Sequence, residues 1–221
     1  MKTGVHWVSR PRGWPLAAAA LSLALLGGCG AIQQAVSPHP SYYSLSGARK
    51  TEAAPRPGQH PAAPTLIVTP PHAAAGFDSQ RIMYLRKENQ LEYFARNEWI
   101  DTPARMLAPL IVAAVQSTGS FRAVVQTPSP AAGEIRLDTE ILRLQQEFLG
   151  SPSRVRFTLR AYLVDSATRR VIASREFEAA VAAASEDPYG GVMAANRAVR
   201  AVLEELAAFC AEAARGVPKA K

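Results

Sequence analysis

Reactive side chains are scarce in this chain. Of 221 residues only two are cysteine and four are histidine, and no glycine falls into a GxGxxG or GxxxxGK[ST] spacing. Without a glycine cradle there is no ready site for a nucleotide phosphate, so any ATP hydrolysis belongs to another polypeptide. His6 lies in the leader, His39 and His60 in proline-rich stretches, and His72 just after Pro70-Pro71. None sits where a rigid core strand could aim it at a serine or cysteine nucleophile. Cys29 ends the leader, leaving Cys210 alone, and one thiol makes neither an internal disulfide nor a cysteine-based zinc site. Cys210 falls inside an apolar helical pattern, as a buried core thiol would. The expectation is a chain without catalytic residues, metal or cofactor.

Long apolar runs are lacking too. The run from Trp14 to Leu26 follows Lys2, Arg10 and Arg12 and is shorter than the ~20 residues a membrane span needs. It reads as an export signal. Its end, Leu26-Gly27-Gly28-Cys29, places an aliphatic residue at −3, small residues at −2 and −1 and a thiol at the cut, the pattern of the bacterial lipobox. Cys29 is then the lipidation site, carrying diacylglycerol and an amide-linked acyl chain such as palmitate, and this covalent lipid is the only attached group expected. Each buried methylene contributes about 0.8 kcal/mol, so several acyl chains anchor a protein that does not itself span the bilayer. Gly30 is not the aspartate that retains lipoproteins in the inner membrane of enteric bacteria, which favours the periplasmic face of the outer membrane. Export makes nucleic acid an unfitting partner. Removal of residues 1–28 takes Lys2, Arg10 and Arg12 and no acid, so the formal +7 less three leaves +4.

Behind the leader, residues 29–41 form a lipidated tether, residues 42–214 a single periplasmic domain and residues 215–221 a tail. Within the domain, 48–64 is rich in proline and small residues without a period, a flexible insert. Thr65 to Thr69 is strand-like and stopped by Pro70-Pro71. Arg81 to Arg86 and Leu91 to Trp99, parted by a polar Lys87–Gln90, suit a β-hairpin. Asp101 or Thr102 followed by Pro103 starts a helix whose apolar positions recur from Met106 to Val115, with Gly119 as its stop. Phe121 to Gln126 is a short strand. Glu134 to Phe148 alternates through Ile135, Leu137, Thr139 and Ile141 before its phase shifts, which predicts a bulge. Val155, Phe157, Leu159, Ala161 and Leu163 share one face of the next strand. After a turn at Asp165 to Arg170 and one more strand, Asp187-Pro188 opens a long final helix with Val192, Asn196, Val199, Leu203, Leu206 and Cys210 on one face. The fold class is α+β, mainly an antiparallel sheet built from hairpins with two helices packed on one face.

Two polar groupings stand out. Arg154, Arg156 and Arg160 share the opposite face of their strand, either a solvated surface or a contact for an anionic partner. Arg96, Asn97, Trp99 and Arg105 crowd the passage from strand to helix, either holding that corner or meeting a partner, and Arg96 or Arg105 can pair with Glu98 or Asp101. Tyr93, Ala95 and Trp99 can bury one strand face. Glu92 and Glu98 lie six strand residues apart, roughly 20 Å, too far to act on one glycosidic bond.

The run from Gly76 to Val125 resembles the signature region of the auxiliary lipoproteins of ABC-type transport systems, the family that includes the paraquat-inducible C-type (PqiC-like) lipoproteins. Ala95-Arg96-Asn97-Glu98-Trp99 and Pro103-Ala104-Arg105-Met106-Leu107 carry the likeness, and Tyr42-Tyr43-Ser44-Leu45 matches the first strand of that family. The resemblance implies a periplasmic docking or receiving component partnered with a mammalian-cell-entry (MCE) domain protein and its ABC transporter. Such a system moves phospholipid or other hydrophobic molecules between the membranes. It implies no catalytic residue. A structural tether binding peptidoglycan or another outer-membrane complex is the competing reading, and self-association is left open.

Overall fold

The computed structural model describes residues 39–46 and 62–216, and those from Pro40 onward belong to one compact unit. Cys29 and most of the 48–64 insert lie outside the described residues. The elements run β1 (Ser41–Tyr43), β2 (Thr65–Val68), β3 (His72–Ala73), β4 (Arg81–Lys87), β5 (Gln90–Trp99), α1 (Pro103–Gln116), β6 (Ala123–Gln126), β7 (Ile135–Glu147), β8 (Arg154–Asp165), β9 (Val171–Ala182) and α2 (Pro188–Gly216).

β7 is the spine. Along one edge it pairs antiparallel with β8 over nearly its whole length, and β8 pairs antiparallel with β9. Its other edge is shared end to end by β2, β3 and β4, all parallel to it, at residues 135–137, 140–141 and 145–147. β6 then extends β2 in parallel, while β5 pairs antiparallel with β4 and carries β1 in parallel on its far edge. The class is α+β as expected, but the sheet is mixed. Within its parallel half, Pro70-Pro71, having no N–H to give a ladder, breaks one path along β7 into β2 and β3. Thr69 and Ala74 on either side still donate to the Leu137 and Ile141 carbonyls, at 3.0 and 2.8 Å.

Local chemistry explains several joints. Asn89, at φ 62°, closes the β4–β5 hairpin in the left-handed conformation asparagine tolerates. The expected bulge in β7 falls between Ile141 and Arg143 and leaves Leu142 as the extra residue. It returns Leu144 and Gln146 to the buried face. The inward residues of β8, Val155, Phe157, Leu159, Ala161 and Leu163, are all buried.

Both helices belong to the same packed core, α1 through Leu107, Ile111 and Val115 and α2 through an apolar stripe from Val192 to Cys210. At 29 residues α2 is about 43 Å long and crosses the sheet from end to end. Asp187 caps its start, its Oδ1 accepting from the Gly190 amide at 2.7 Å. Gly190 and Gly191 allow the helix to close on the sheet. A Cβ on Gly190 would lie 2.3 Å from the Ser185 carbonyl oxygen, and one on Gly191 2.1 Å from Gln146 Oε1. Farther along, Phe209 meets Phe177 edge-on at 5.7 Å. Such an aromatic pair adds about 0.5–1.5 kcal/mol to the burial of its area.

Candidate functional site

The polar run of β5 is the place where the strand bulges against β4 on one edge and gains β1 on the other. Arg81 of β4 faces Glu98 and Met83 faces Tyr93, so Ile82 alone opposes the four residues Phe94 to Asn97. This bulge inverts the alternation of β5. Trp99 turns into the core at 2% exposure, whereas Tyr93 stays 47% exposed. The shared buried face expected for Tyr93, Ala95 and Trp99 therefore does not form. Tyr93 instead carries the Arg81 guanidinium over its ring at 4.0 Å.

On its far edge β5 pairs with β1, with Ser41, Tyr42 and Tyr43 opposite Asn97, Glu98 and Trp99. The Tyr43 hydroxyl donates to Asn97 Oδ1 at 3.0 Å, and the Ile100 amide donates to the Tyr43 carbonyl at 2.7 Å. Asn196 of α2 completes the clasp. Its Oδ1 accepts from the Ser46 amide at 2.7 Å, and its Nδ2 donates to the Ser44 carbonyl at 3.2 Å and to the Val192 carbonyl at 3.0 Å. The helix side chain thus gives residues 44–46 the hydrogen bonds a neighbouring strand would have given. The signal for Asn196 in the sequence is a lone amide within an apolar helical stripe.

Of the four corner candidates, Asn97 holds β1 and Trp99 belongs to the core. A fully buried indole presents no surface, so Trp99 is removed from the interface set. Arg105 is exposed and pairs with Asp101 at 3.2 Å, one helical turn away. Asp101 Oδ1 also accepts from the Thr102 amide at 2.8 Å, while the N-cap Thr102 makes no side-chain cap bond. Arg96 is exposed and pairs with no carboxylate among the described residues.

The arginine row lies on the sheet face opposite the helices, and it is not bare. Glu140, Arg160 and Glu176 stand in register across β7, β8 and β9, with Arg160 reaching Glu140 at 3.4 Å and Glu176 at 3.0 Å. Arg156 grips Glu147 with one guanidinium edge, Nε and Nη2 donating to its two oxygens at 2.9 and 3.1 Å, and also bonds Glu178 through Nη1. Thr158 donates to the same Glu178 at 3.0 Å. Burial pushes Glu147 upward, but its bonds from Arg156 and Gln145 outweigh that and hold it below the usual carboxylate range. The hydrogen bonds to Glu147 raise Arg156 further above its ordinary value. Arg154 alone of the three makes no ion pair with a described residue. The row therefore clamps three strands together, and two of its charges are already matched.

Chemistry beyond binding finds few groups in position. Among the described residues no three His, Cys, Asp or Glu side chains converge as metal ligands. Burial pushes the Cys210 thiol up to about 12, which keeps it protonated and inert. Glu92 accepts from the Tyr84 hydroxyl at 2.9 Å, in an aromatic cluster with Phe94 and Phe148.

A family described as the ABC-type transport auxiliary lipoprotein component matches residues 43–207. The chain belongs to that family. The match takes in every described element from the end of β1 to the middle of α2, including the corner, the clasp at Asn196 and the arginine clamp. This auxiliary lipoprotein is also similar to solved structures. Protein XCC0632 from Xanthomonas campestris is 25% identical, with a TM-score of 0.69 over 80% of this chain and 97% of that one. The hypothetical protein CT253 from Chlamydia trachomatis shares the fold at 10% identity, with a TM-score of 0.52 over 71% of this chain and all of the other. None of the curated proteins matches. Membership makes the protein a lipoprotein associated with an ABC transport system. Among the described residues no helix is long and apolar enough to cross a membrane.

Proposed function

We propose that this lipoprotein is held by acyl chains on Cys29 at the periplasmic face of the outer membrane. There it docks an MCE-domain protein whose ABC transporter moves phospholipid or similarly hydrophobic molecules between the membranes. It works as a docking or receiving component and carries out no chemistry of its own. The observation that carries the reading is the family match over residues 43–207. The lipobox at Leu26–Cys29 supports the anchor, and the exposed Arg96 and Arg105 beside the β1–β5 joint offer the partner a polar contact.

The reading is tested by fractionating envelopes that carry the wild-type chain or Cys29→Ala. The wild type is expected in the outer-membrane fraction with an acylated first residue, and the variant in the soluble periplasm. Loss of the gene is expected to increase sensitivity to detergents and hydrophobic antibiotics. An unacylated Cys29, or an intact permeability barrier without the protein, would sink it.

A further inference from the structure

Several large apolar side chains stay uncovered at one end of the domain, where β1 meets the start of α2. Tyr189 is 60% and Met193 46% exposed, and as i and i+4 neighbours they share one side of the helix. The Tyr189 ring lies 6.5 Å from that of Tyr43 in β1. Tyr42 and Ile100, each more than half exposed, are backbone neighbours of Tyr43 at the same sheet edge, Tyr42 on the opposite strand face and Ile100 tied through its amide to the Tyr43 carbonyl. These side chains pair amphipathic aromatics with flexible apolar ones, the composition that settles at the boundary between headgroups and acyl chains.

The chain itself says which surface this end meets. Ser41 is twelve residues from Cys29, and at most ~3.6 Å per residue the two stand no more than about 43 Å apart. The β8–β9 turn at Asp165 to Arg170 lies at the other end of β8, another ~36 Å away. We infer that this aromatic corner, formed by Tyr43, Tyr189 and Met193, docks into the interfacial layer of the membrane that carries the anchor. The inference rests on the proposed acylation of Cys29. It gives the domain a fixed orientation, with the β8–β9 turn pointing into the periplasm.

The test uses the full acylated chain reconstituted into vesicles of phosphatidylethanolamine and phosphatidylglycerol. Met193→Cys, Tyr189→Cys and, as the distal control, Ala167→Cys are each labelled with an environment-sensitive fluorophore. Cys210 is buried and Cys29 is blocked by lipid, so the label goes to the introduced thiol. Labels at 193 and 189 are expected to shift to the blue and to lose at least half their emission to nitroxide-bearing lipids, while the label at 167 behaves as in water. Vesicle-bound protein whose 189 and 193 labels remain water-like overturns the inference and leaves the anchor standing. So do labels that change only when the MCE-domain protein is added, which would assign the corner to a protein partner. Chain recovered wholly free of vesicles, with Cys29 unmodified, overturns both the inference and the anchor.

Discussion

Asn196 holds Ser46 at 2.7 Å, across a sequence separation of 150 residues, and so binds the entering chain to the final helix. A helix side chain does here what a strand edge does elsewhere. The segment leading from the anchor is thereby fixed to the domain.

Asn196→Leu keeps most of the side-chain volume and leaves the Ser46 amide and Ser44 carbonyl unpaired. An unmet hydrogen-bonding group costs about 1–3 kcal/mol when it cannot reach water and less where, as at Ser46, solvent has access. The expected outcome is a modest fall in the urea midpoint together with a gain in proteolytic cutting between residues 41 and 64. Unchanged cutting would contradict the clasp.

Gly190 and Gly191 separate backbone from side-chain obstruction. An alanine at 190 meets the Ser185 carbonyl oxygen, which cannot move without its strand-to-helix loop, whereas one at 191 meets only the end of Gln146. Overpacking of this kind costs typically about 1–3 kcal/mol. Gly190→Ala should therefore lower the denaturation midpoint more than Gly191→Ala, with the slope unchanged in both. The reverse order would show that the helix start is free to shift.

Trp99 and Arg96, close together in β5, should respond in opposite ways. Trp99→Ala removes a buried indole and is expected to cost about 3–5 kcal/mol. Arg96→Ala should stay within about 0.5 kcal/mol of wild type, as exposed substitutions do, while weakening capture of the partner. Thermal unfolding and partner binding measured on both variants check this, and normal stability of Trp99→Ala would return that residue to the surface.

Much of this layout is legible in the sequence because single residue patterns encode it. The alternation of β8, the phase shift of β7 and the Asp187-Pro188 start of α2 each depend on neighbours in the chain. The parallel pairings do not. β2 and β3 lie on the same edge of β7 because a proline pair interrupts one path, and nothing local to either strand names its partner. Trp99 was open to misplacement for a related reason. The bulge opposite Ile82 inverts β5, and no residue from Phe94 to Asn97 marks in the sequence where the pairing slips.

Acid should loosen the sheet. Glu147, Glu134 and Asp187 are all held below their ordinary values, by the Arg156 and Gln145 bonds that outweigh burial, by the Thr65 amide that likewise outweighs burial, and by the Gly190 amide respectively. A depressed carboxylate stabilises the fold above its unfolded value, and that contribution is lost as pH falls through the lower folded value. Stability is expected to be level above about pH 5 and to decline below about pH 4.5. Glu147→Gln should flatten part of that decline and lower stability at neutral pH. An unaltered acid limb in this variant would mean that the Arg156 clamp does not couple to folding.

The proposed service to an ABC system runs through an MCE-domain partner. The most direct measurement is affinity purification of the acylated chain from mildly solubilised envelopes, with its co-purifying subunits identified and quantified. An MCE-domain protein is expected in fixed ratio to the bait, accompanied by its permease and ATPase and reduced by Arg96→Ala. Recovery of peptidoglycan or an unrelated outer-membrane complex, with no MCE-domain protein, would contradict it.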